Sequence, residues 1–219
     1  MINTNLHKKI LNVFAVALII IVFANTLINF FYWNDGWTEI LWYCSLASLV
    51  LSAGILLKNS YLNSIVLTTA IPAQFFWILD FVLKLVGMDG FGRTGWLFEW
   101  PFITIFLSIV LHVVLIPLAI YSVWVYGFKK KSLLFTFIFI IVCMVLPFLF
   151  SAYDDNVNCV FYSCDLNFDE AINTTSPMFM LGSVSYLGFI TLRWLAWSII
   201  IYFGLILLFQ RVFKRIKIV

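Results

Sequence analysis

The chain has few charged residues: lysine, arginine, aspartate and glutamate together make up 11% of its 219 residues. A soluble domain usually carries about 25% charged and 45–50% apolar residues, whereas 64% of this chain is hydrophobic. The shortage of charge excludes a soluble globular domain and a disordered chain. Such a composition is also far too apolar for a small secreted domain held together by disulfides. The chain has the composition of an integral membrane protein.

Apolar runs fill most of the sequence and leave no room for a soluble domain. A helix needs about 20 apolar residues to cross the hydrocarbon core. We therefore predict an all-α integral membrane protein, a single helical domain with about six transmembrane helices, in the cell membrane. The predicted spans cover residues 10–33, 37–57, 62–86, 101–126, 133–150 and 187–210. The apolar stretch before residue 187 is longer than one upright helix requires, so the last helix either tilts or begins in the interface.

Charges of opposite sign are segregated between the loops. The cations that fall on one side are Lys8, Lys9, Lys58, Lys129, Lys130, Lys131, Arg211, Lys214, Arg215 and Lys217. The acidic residues collect on the other side, so the positive-inside rule predicts that both termini are cytoplasmic. The net charge of +3 is thus a topology signal. No basic stripe predicts a nucleic-acid partner, and the basic tail is expected to meet anionic membrane lipids.

The longest loop, residues 151–177, is predicted to lie outside. It holds two of the four cysteines, Cys159 and Cys164. On an oxidising face of the membrane these two thiols could form a disulfide. No histidine lies near them, so the loop does not predict a zinc site. We predict neither a metal nor a cofactor for this chain.

Ionisable residues inside the predicted spans are the most informative feature, because a charge in hydrocarbon is costly unless it is paired or lines a cavity. They are Asp80, its neighbour one helical turn later, Lys84, and also His112 and Arg193. At a rise of 1.5 Å per residue, Asp80 and Arg193 lie roughly 9 Å below the outer ends of their spans, and His112 roughly 15 Å. Ser45 lies at a comparable depth. Four spans thus deliver polar groups to the outer third of the membrane.

These residues suggest an intramembrane lipid or ester hydrolase. Histidine is the usual general base because free imidazole titrates near neutrality. His112 could activate Ser45, or its neighbour Cys44, for attack on an acyl carbon, and Asp80 could hold the imidazole. Ser108 shares the helical face of His112 and could orient its ring.

The substrate expected for such a site is an amphiphilic small molecule that enters laterally from the outer leaflet. Arg193 is the candidate for binding its carboxylate or phosphate headgroup, because a guanidinium matches those anions. Lys84 and Ser108 are the other candidate substrate-binding residues.

Two other classes stay open at this point. In a small-solute or ion carrier, the same ionisable residues would form a relay. In a non-catalytic accessory subunit, Asp80 would form an ion pair with Lys84 or, as we favour, with Arg193 that only locks helices together, and His112 would donate a single hydrogen bond. Ser45, Ser48 and Ser52 would then serve close helix packing.

Several short motifs carry a resemblance to known proteins. They are the segments 37–45 (WTEILWYCS), 72–81 (PAQFFWILDF), 108–117 (SIVLHVVLIP), 126–127 and 156–158 (NVN). Together they resemble an uncharacterised group of bacterial multi-pass membrane proteins over about residues 37–158. The resemblance implies a multi-pass helical fold and no particular activity.

A more distant similarity is to the androgen-induced family of membrane hydrolases, which cleave fatty acid esters of hydroxy fatty acids. That family has a histidine followed five residues later by proline, as His112 and Pro117 are here, and a proline and a Phe-Trp pair in the preceding span, like Pro72 and Phe76-Trp77. The resemblance implies an intramembrane ester hydrolase. The threonine nucleophile of the family is not matched, because Leu41 stands at the corresponding offset.

Overall fold

The computed structural model describes residues 4–33, 36–88, 94, 97–98, 101–152, 156–161 and 179–211. This part of the chain is helical and contains no β-strand. Its α-helices are α1 (Thr4–Trp33), α2 (Tyr43–Leu56), α3 (Ser60–Leu85), α4 (Phe102–Tyr126), α5 (Ser132–Phe150) and α6 (Phe179–Arg211). Two short 3₁₀ helices, η1 (Gly36–Leu41) and η2 (Val157–Cys159), precede α2 and follow α5.

All the described α-helices except α2 are long and apolar enough to cross a membrane. The protein is therefore a polytopic α-helical membrane protein. α2 has 14 residues, which corresponds to about 21 Å at the usual rise, less than the roughly 30 Å of a hydrocarbon core. The α-helix begins at Tyr43, later than the predicted span at residue 37, because residues 36–41 form η1.

The two terminal helices also begin earlier than the predicted spans. α1 begins at Thr4 and α6 at Phe179, whereas the apolar runs suggested residues 10 and 187. A helix can continue past the hydrocarbon into the interface, so helix ends and membrane boundaries need not coincide. The membrane boundaries inside the helices stay predictions.

α3 is central: it packs against α2, α4, α5 and α6, while α1 packs against α2 and α4. On α1 the buried residues Leu11, Ala15, Leu18 and Val22 recur every three or four positions, which places them on one helical face. Large apolar residues between them are exposed, as expected for a lipid-facing surface. α2 and α3 approach closely at Gly54, where a Cβ would clash with the Asn63 side chain.

One end of the bundle, which we call the lysine end, carries Lys58 and Lys129–Lys131 beside the junctions α2–α3 and α4–α5. Polar side chains tie its helix ends together. Asn59 caps α3 by accepting from the Tyr61 amide at 2.9 Å. His7, in the first turns of α1, bonds to the Tyr121 hydroxyl near the end of α4, so Lys8 and Lys9 lie at the same end.

Candidate functional site

A cavity lies toward the opposite end of the bundle, where η1 and η2 are; we call this the cavity end. Its volume is about 100 Å³, whereas a single water needs about 10–15 Å³ by the same measure. Asn25, Gln74 and His112 lie 8 to 11 residues from the nearest ends of their helices, which corresponds to a depth of roughly 12–17 Å. The described lining residues are Asn25, Glu39, Trp42, Tyr43, Cys44, Ala73, Gln74, Trp77, Ser108, Leu111, His112, Asn158, Cys159 and Trp194.

His112 enters the cavity from α4 with its ring fixed in orientation. Its Nδ1 lies 2.7 Å from the Ser108 carbonyl oxygen one turn earlier. A carbonyl can only accept, so Nδ1 carries the hydrogen and Nε2 of the neutral ring keeps its lone pair. The ring stacks on Trp77, with 3.7 Å between ring centroids and an angle of 15° between planes. His112 therefore presents one hydrogen-bond acceptor on a rigid support.

Glu39 and Asn25 form the wall between η1 and α1. The Asn25 Nδ2 donates to Glu39 Oε1 at 2.9 Å. Because a carboxylate only accepts, this bond fixes the orientation of the amide. The Asn25 Oδ1 atom is consequently left buried without a hydrogen-bond partner among the described residues. A second amide oxygen in the same condition is Gln74 Oε1, and Gln74 lines the cavity from α3.

Asn158 holds the cavity end together from η2. Its Nδ2 donates to the carbonyl oxygens of Leu41 at 3.0 Å and Cys143 at 2.8 Å, and its Oδ1 accepts from the Tyr43 amide at 2.7 Å. Tyr43 is the first residue of α2, so its N–H has no partner within the helix. The Cys143 carbonyl is free because Pro147, four residues later, has no N–H. The Asn158 side chain thus provides hydrogen-bond partners for the first amide of α2, for the last carbonyl of η1 and for the carbonyl that Pro147 leaves free in α5.

The backbone of η2 explains why asparagines stand there. Asn156 and Asn158 have φ angles of 39° and 58°, in the left-handed region that asparagine tolerates better than most residues. The Asn156 side chain accepts from the Phe161 amide at 3.0 Å. The two asparagines therefore stabilise the backbone of η2, and Asn158 contributes to the wall of the cavity.

The structure brings only some of the predicted site residues together. His112, Ser108 and Cys44 line the cavity, whereas Ser45 is buried outside its lining. Among the described residues His112 has no hydroxyl or thiol hydrogen-bond partner; its bond goes to the Ser108 backbone. The base–nucleophile pair expected from the sequence is not formed by a direct hydrogen bond.

Asp80 and Arg193 are not brought together. Asp80 is fully buried and accepts from the Thr94 hydroxyl at 2.7 Å, away from the cavity lining. Arg193 lies exposed on α6, and no ion pair joins it to Asp80 in the described part of the chain. The predicted Asp80–Arg193 pair is wrong, because similar depths on two helices do not make their faces meet. Lys84 is partly exposed and also lies outside the lining.

Cys159 is disulfide-bonded, while Cys44 and Cys143 are free thiols. Cys164, the partner suggested by the sequence, and most of the loop 151–177 lie outside the described residues, so this pairing stays a prediction. Within the described part of the chain, no group of three or more histidine, cysteine, aspartate or glutamate side chains is arranged to hold a metal ion.

Sequence reasoning missed four polar residues of the site: Asn25, Glu39, Gln74 and Asn158. For Asn25 and Gln74 a signal existed, since both are amides inside long apolar runs, where a polar group needs a reason as an ionisable one does. For Glu39 and Asn158 no local signal existed, because their roles depend on contacts with distant segments.

No family model, no curated protein and no solved structure matches this chain.

Proposed function

We propose that the cavity binds the polar head of an amphiphilic molecule whose apolar part lies along the bundle. The observation that carries this proposal is the pairing of an apolar, aromatic lining with a few inward acceptor groups at a depth of roughly 12–17 Å. Ligand sites generally have this make-up: mostly apolar walls with a small number of polar groups that fix orientation. The site lies within a polytopic membrane protein, where amphiphiles are the abundant small molecules.

In this proposal His112 and Trp77 position the polar head of the ligand. Trp77 stacks on His112 and also on Phe81, with 5.5 Å between the centroids of the latter pair. Because the ring is clamped and Nδ1 is engaged by Ser108, the Nε2 atom can accept a hydrogen bond from a ligand with little loss of side-chain entropy.

The orientation proposed for the bundle places the cavity on the outer side. The lysine end gathers Lys8, Lys9, Lys58 and Lys129–Lys131 at the start of α1 and the α2–α3 and α4–α5 junctions. Short loops rich in lysine stay in the cytoplasm. A protease or label added to intact cells is expected to reach loop 151–177 and to miss Lys129–Lys131; the reverse accessibility would overturn this orientation.

Native mass spectrometry of the protein purified in mild detergent tests the binding proposal. We expect a bound amphiphile in the wild-type protein and roughly tenfold weaker retention in His112→Phe, which keeps a ring on Trp77 but removes the acceptor. Ser122→Ala is the matched control on the same helix, because Ser122 bonds to its own helix at Ala119 and does not line the cavity. Equal retention in His112→Phe and wild type would refute the proposal.

A second candidate, ester hydrolysis, is favoured by one observation: Cys44 and His112 line the same cavity. In that reaction His112 Nε2 takes the thiol proton, and the thiolate sulfur adds to the ester carbonyl. The alcohol leaves with that proton, and a water deprotonated by the same nitrogen then releases the acid. Cys44 replaces Ser45 as the nucleophile in this scheme.

Hydrolysis of a long-chain chromogenic ester in detergent tests this candidate. We expect Cys44→Ala to abolish turnover and Ser45→Ala, the adjacent matched variant, to retain it. Turnover that survives Cys44→Ala, or that is absent from the wild-type protein while an amphiphile is still bound, would leave binding as the function of the site.

A further inference from the structure

Hydrogen-bond acceptors on three sides of the cavity are one part of its chemistry. Asn25 Oδ1 is oriented by the bond from its own amide nitrogen to Glu39 and has no partner among the described residues. Gln74 Oε1 is in the same condition, and His112 offers Nε2 because Nδ1 is engaged. The Glu39 carboxylate adds negative charge to the same wall. A positively charged ligand is therefore complementary to this wall of the cavity.

Aromatic rings form much of the remaining lining. Trp42, Trp77 and Trp194 come from three separate segments of the chain, and Tyr43 packs against Trp194 with 5.4 Å between ring centroids. Aromatic rings attract cations through their quadrupoles, and tryptophan does so most strongly. No lysine or arginine is found among the described residues that line the cavity. The walls therefore favour positive charge over negative charge.

We infer that the head bound in this cavity is an organic ammonium group. The inference rests on the proposed function and names the chemical class of its ligand. A protonated amine supplies N–H donors to the acceptors, whereas a quaternary ammonium has no N–H and is held by its charge and by contact with the rings. A phosphate or carboxylate head is bound most strongly by cationic donors, and no lysine or arginine is found among the described residues of the lining. The cavity volume of about 100 Å³ is several times the space that one water needs, so an ammonium head fits in the cavity.

Cys44 provides a built-in reporter for occupancy, because it is a free thiol that lines the cavity. The second free thiol, Cys143, is fully buried and does not line it. The experiment measures how fast N-ethylmaleimide modifies Cys44 in the purified protein, followed on the Cys44 peptide by mass spectrometry. The competing probes are dodecyltrimethylammonium, dodecyl phosphate and the uncharged dodecanol, at equal concentration.

We expect dodecyltrimethylammonium to protect Cys44 at concentrations about tenfold lower than either other probe. Glu39→Gln should bring the ammonium and uncharged probes to within about threefold of each other while dodecanol protection persists. Lys131→Gln, which removes one charge at the lysine end, is the control and should leave the preference unchanged.

The failures of the two proposals are distinguishable. Equal protection by the ammonium and uncharged probes, with loss of both in His112→Phe, would overturn the ammonium inference and keep the amphiphile site. Stronger protection by dodecyl phosphate would also overturn the inference. Absence of protection by every probe would overturn both proposals.

Discussion

The two ends of the bundle use polar side chains in different ways. At the lysine end Asn59 caps α3, the Ser60 hydroxyl donates to the Tyr126 carbonyl at 2.8 Å, and the Ser64 hydroxyl accepts from the Lys129 amide at 2.9 Å. These groups bind backbone that helix ends leave free. At the cavity end, Asn25 and Gln74 keep acceptor atoms without partners among the described residues. Buried polar atoms without partners in the described part of the chain also occur at the lysine end, at Asn63 and Ser132, but only those of Asn25 and Gln74 belong to residues that line the described cavity.

Asn158 is the exception that sharpens this comparison, because it lies at the cavity end but acts as a structural residue. We expect Asn158→Leu to lower the free energy of unfolding by about 2–4 kcal/mol, since it leaves the Tyr43 amide and two carbonyls without partners. Denaturation in detergent measures the change. An unchanged midpoint for Asn158→Leu would mean that η2 does not hold the cavity end together.

A change at the lysine end should affect stability and spare binding. Asn59→Ala removes the cap of α3 and is expected to lower the free energy of unfolding by about 1 kcal/mol. Retention of the amphiphile should equal that of the wild-type protein after correction for any unfolded fraction. Loss of retention in the folded variant would show that the two ends are not independent.

The buried serines of α2 provide a smaller effect of opposite sign. Ser48 is fully buried, and its hydroxyl has no partner among the described residues, whereas Thr68 on α3 donates to the Ser64 carbonyl at 2.8 Å. Ser48→Ala should therefore leave stability unchanged or raise it by up to about 1 kcal/mol, because it removes an unsatisfied polar group. A loss above about 1 kcal/mol would indicate that this hydroxyl has a partner such as a buried water.

The smallest expected effect is the coupling between Asp80 and Arg193. Arg193 is exposed and Asp80 is fully buried, so Asp80→Asn and Arg193→Gln should change stability additively, within about 0.3–0.5 kcal/mol. Melting of the two single variants and the double variant in detergent gives the coupling. A coupling well above that limit would restore the ion pair that the sequence suggested.

The fold class could be predicted from composition, because apolar runs of transmembrane length leave few alternatives, and the long apolar helices confirm it. The start of α2 could not be predicted. The sequence pattern places residues 37–42 in an apolar span, yet the α-helix begins at Tyr43. The first amide of α2 donates to Asn158, which lies 115 positions later in the chain. A sequence pattern reflects local conformational preference, whereas the start of α2 depends on a contact with a residue distant in the chain.

The candidate site was only partly predictable for a related reason. Depth along a helix follows from residue number, so His112, Ser108 and Cys44 could be placed at similar levels, and they do line one cavity. Which face of each helix points inward depends on packing. That is why Arg193 is exposed on α6 although its depth suggested a buried partner, and why the role of Gln74 was missed.

Charge-selective modification of Cys44 tests the central claim most directly, namely that the cavity takes a positively charged head. Two methanethiosulfonate reagents of similar size, one carrying an ammonium and one a sulfonate, are compared on the folded protein, with their rates on a free thiol as the reference. After that correction we expect the cationic reagent to modify Cys44 at least about tenfold faster, and Glu39→Gln to reduce the ratio. Equal rates, or a faster anionic reagent, would contradict the account.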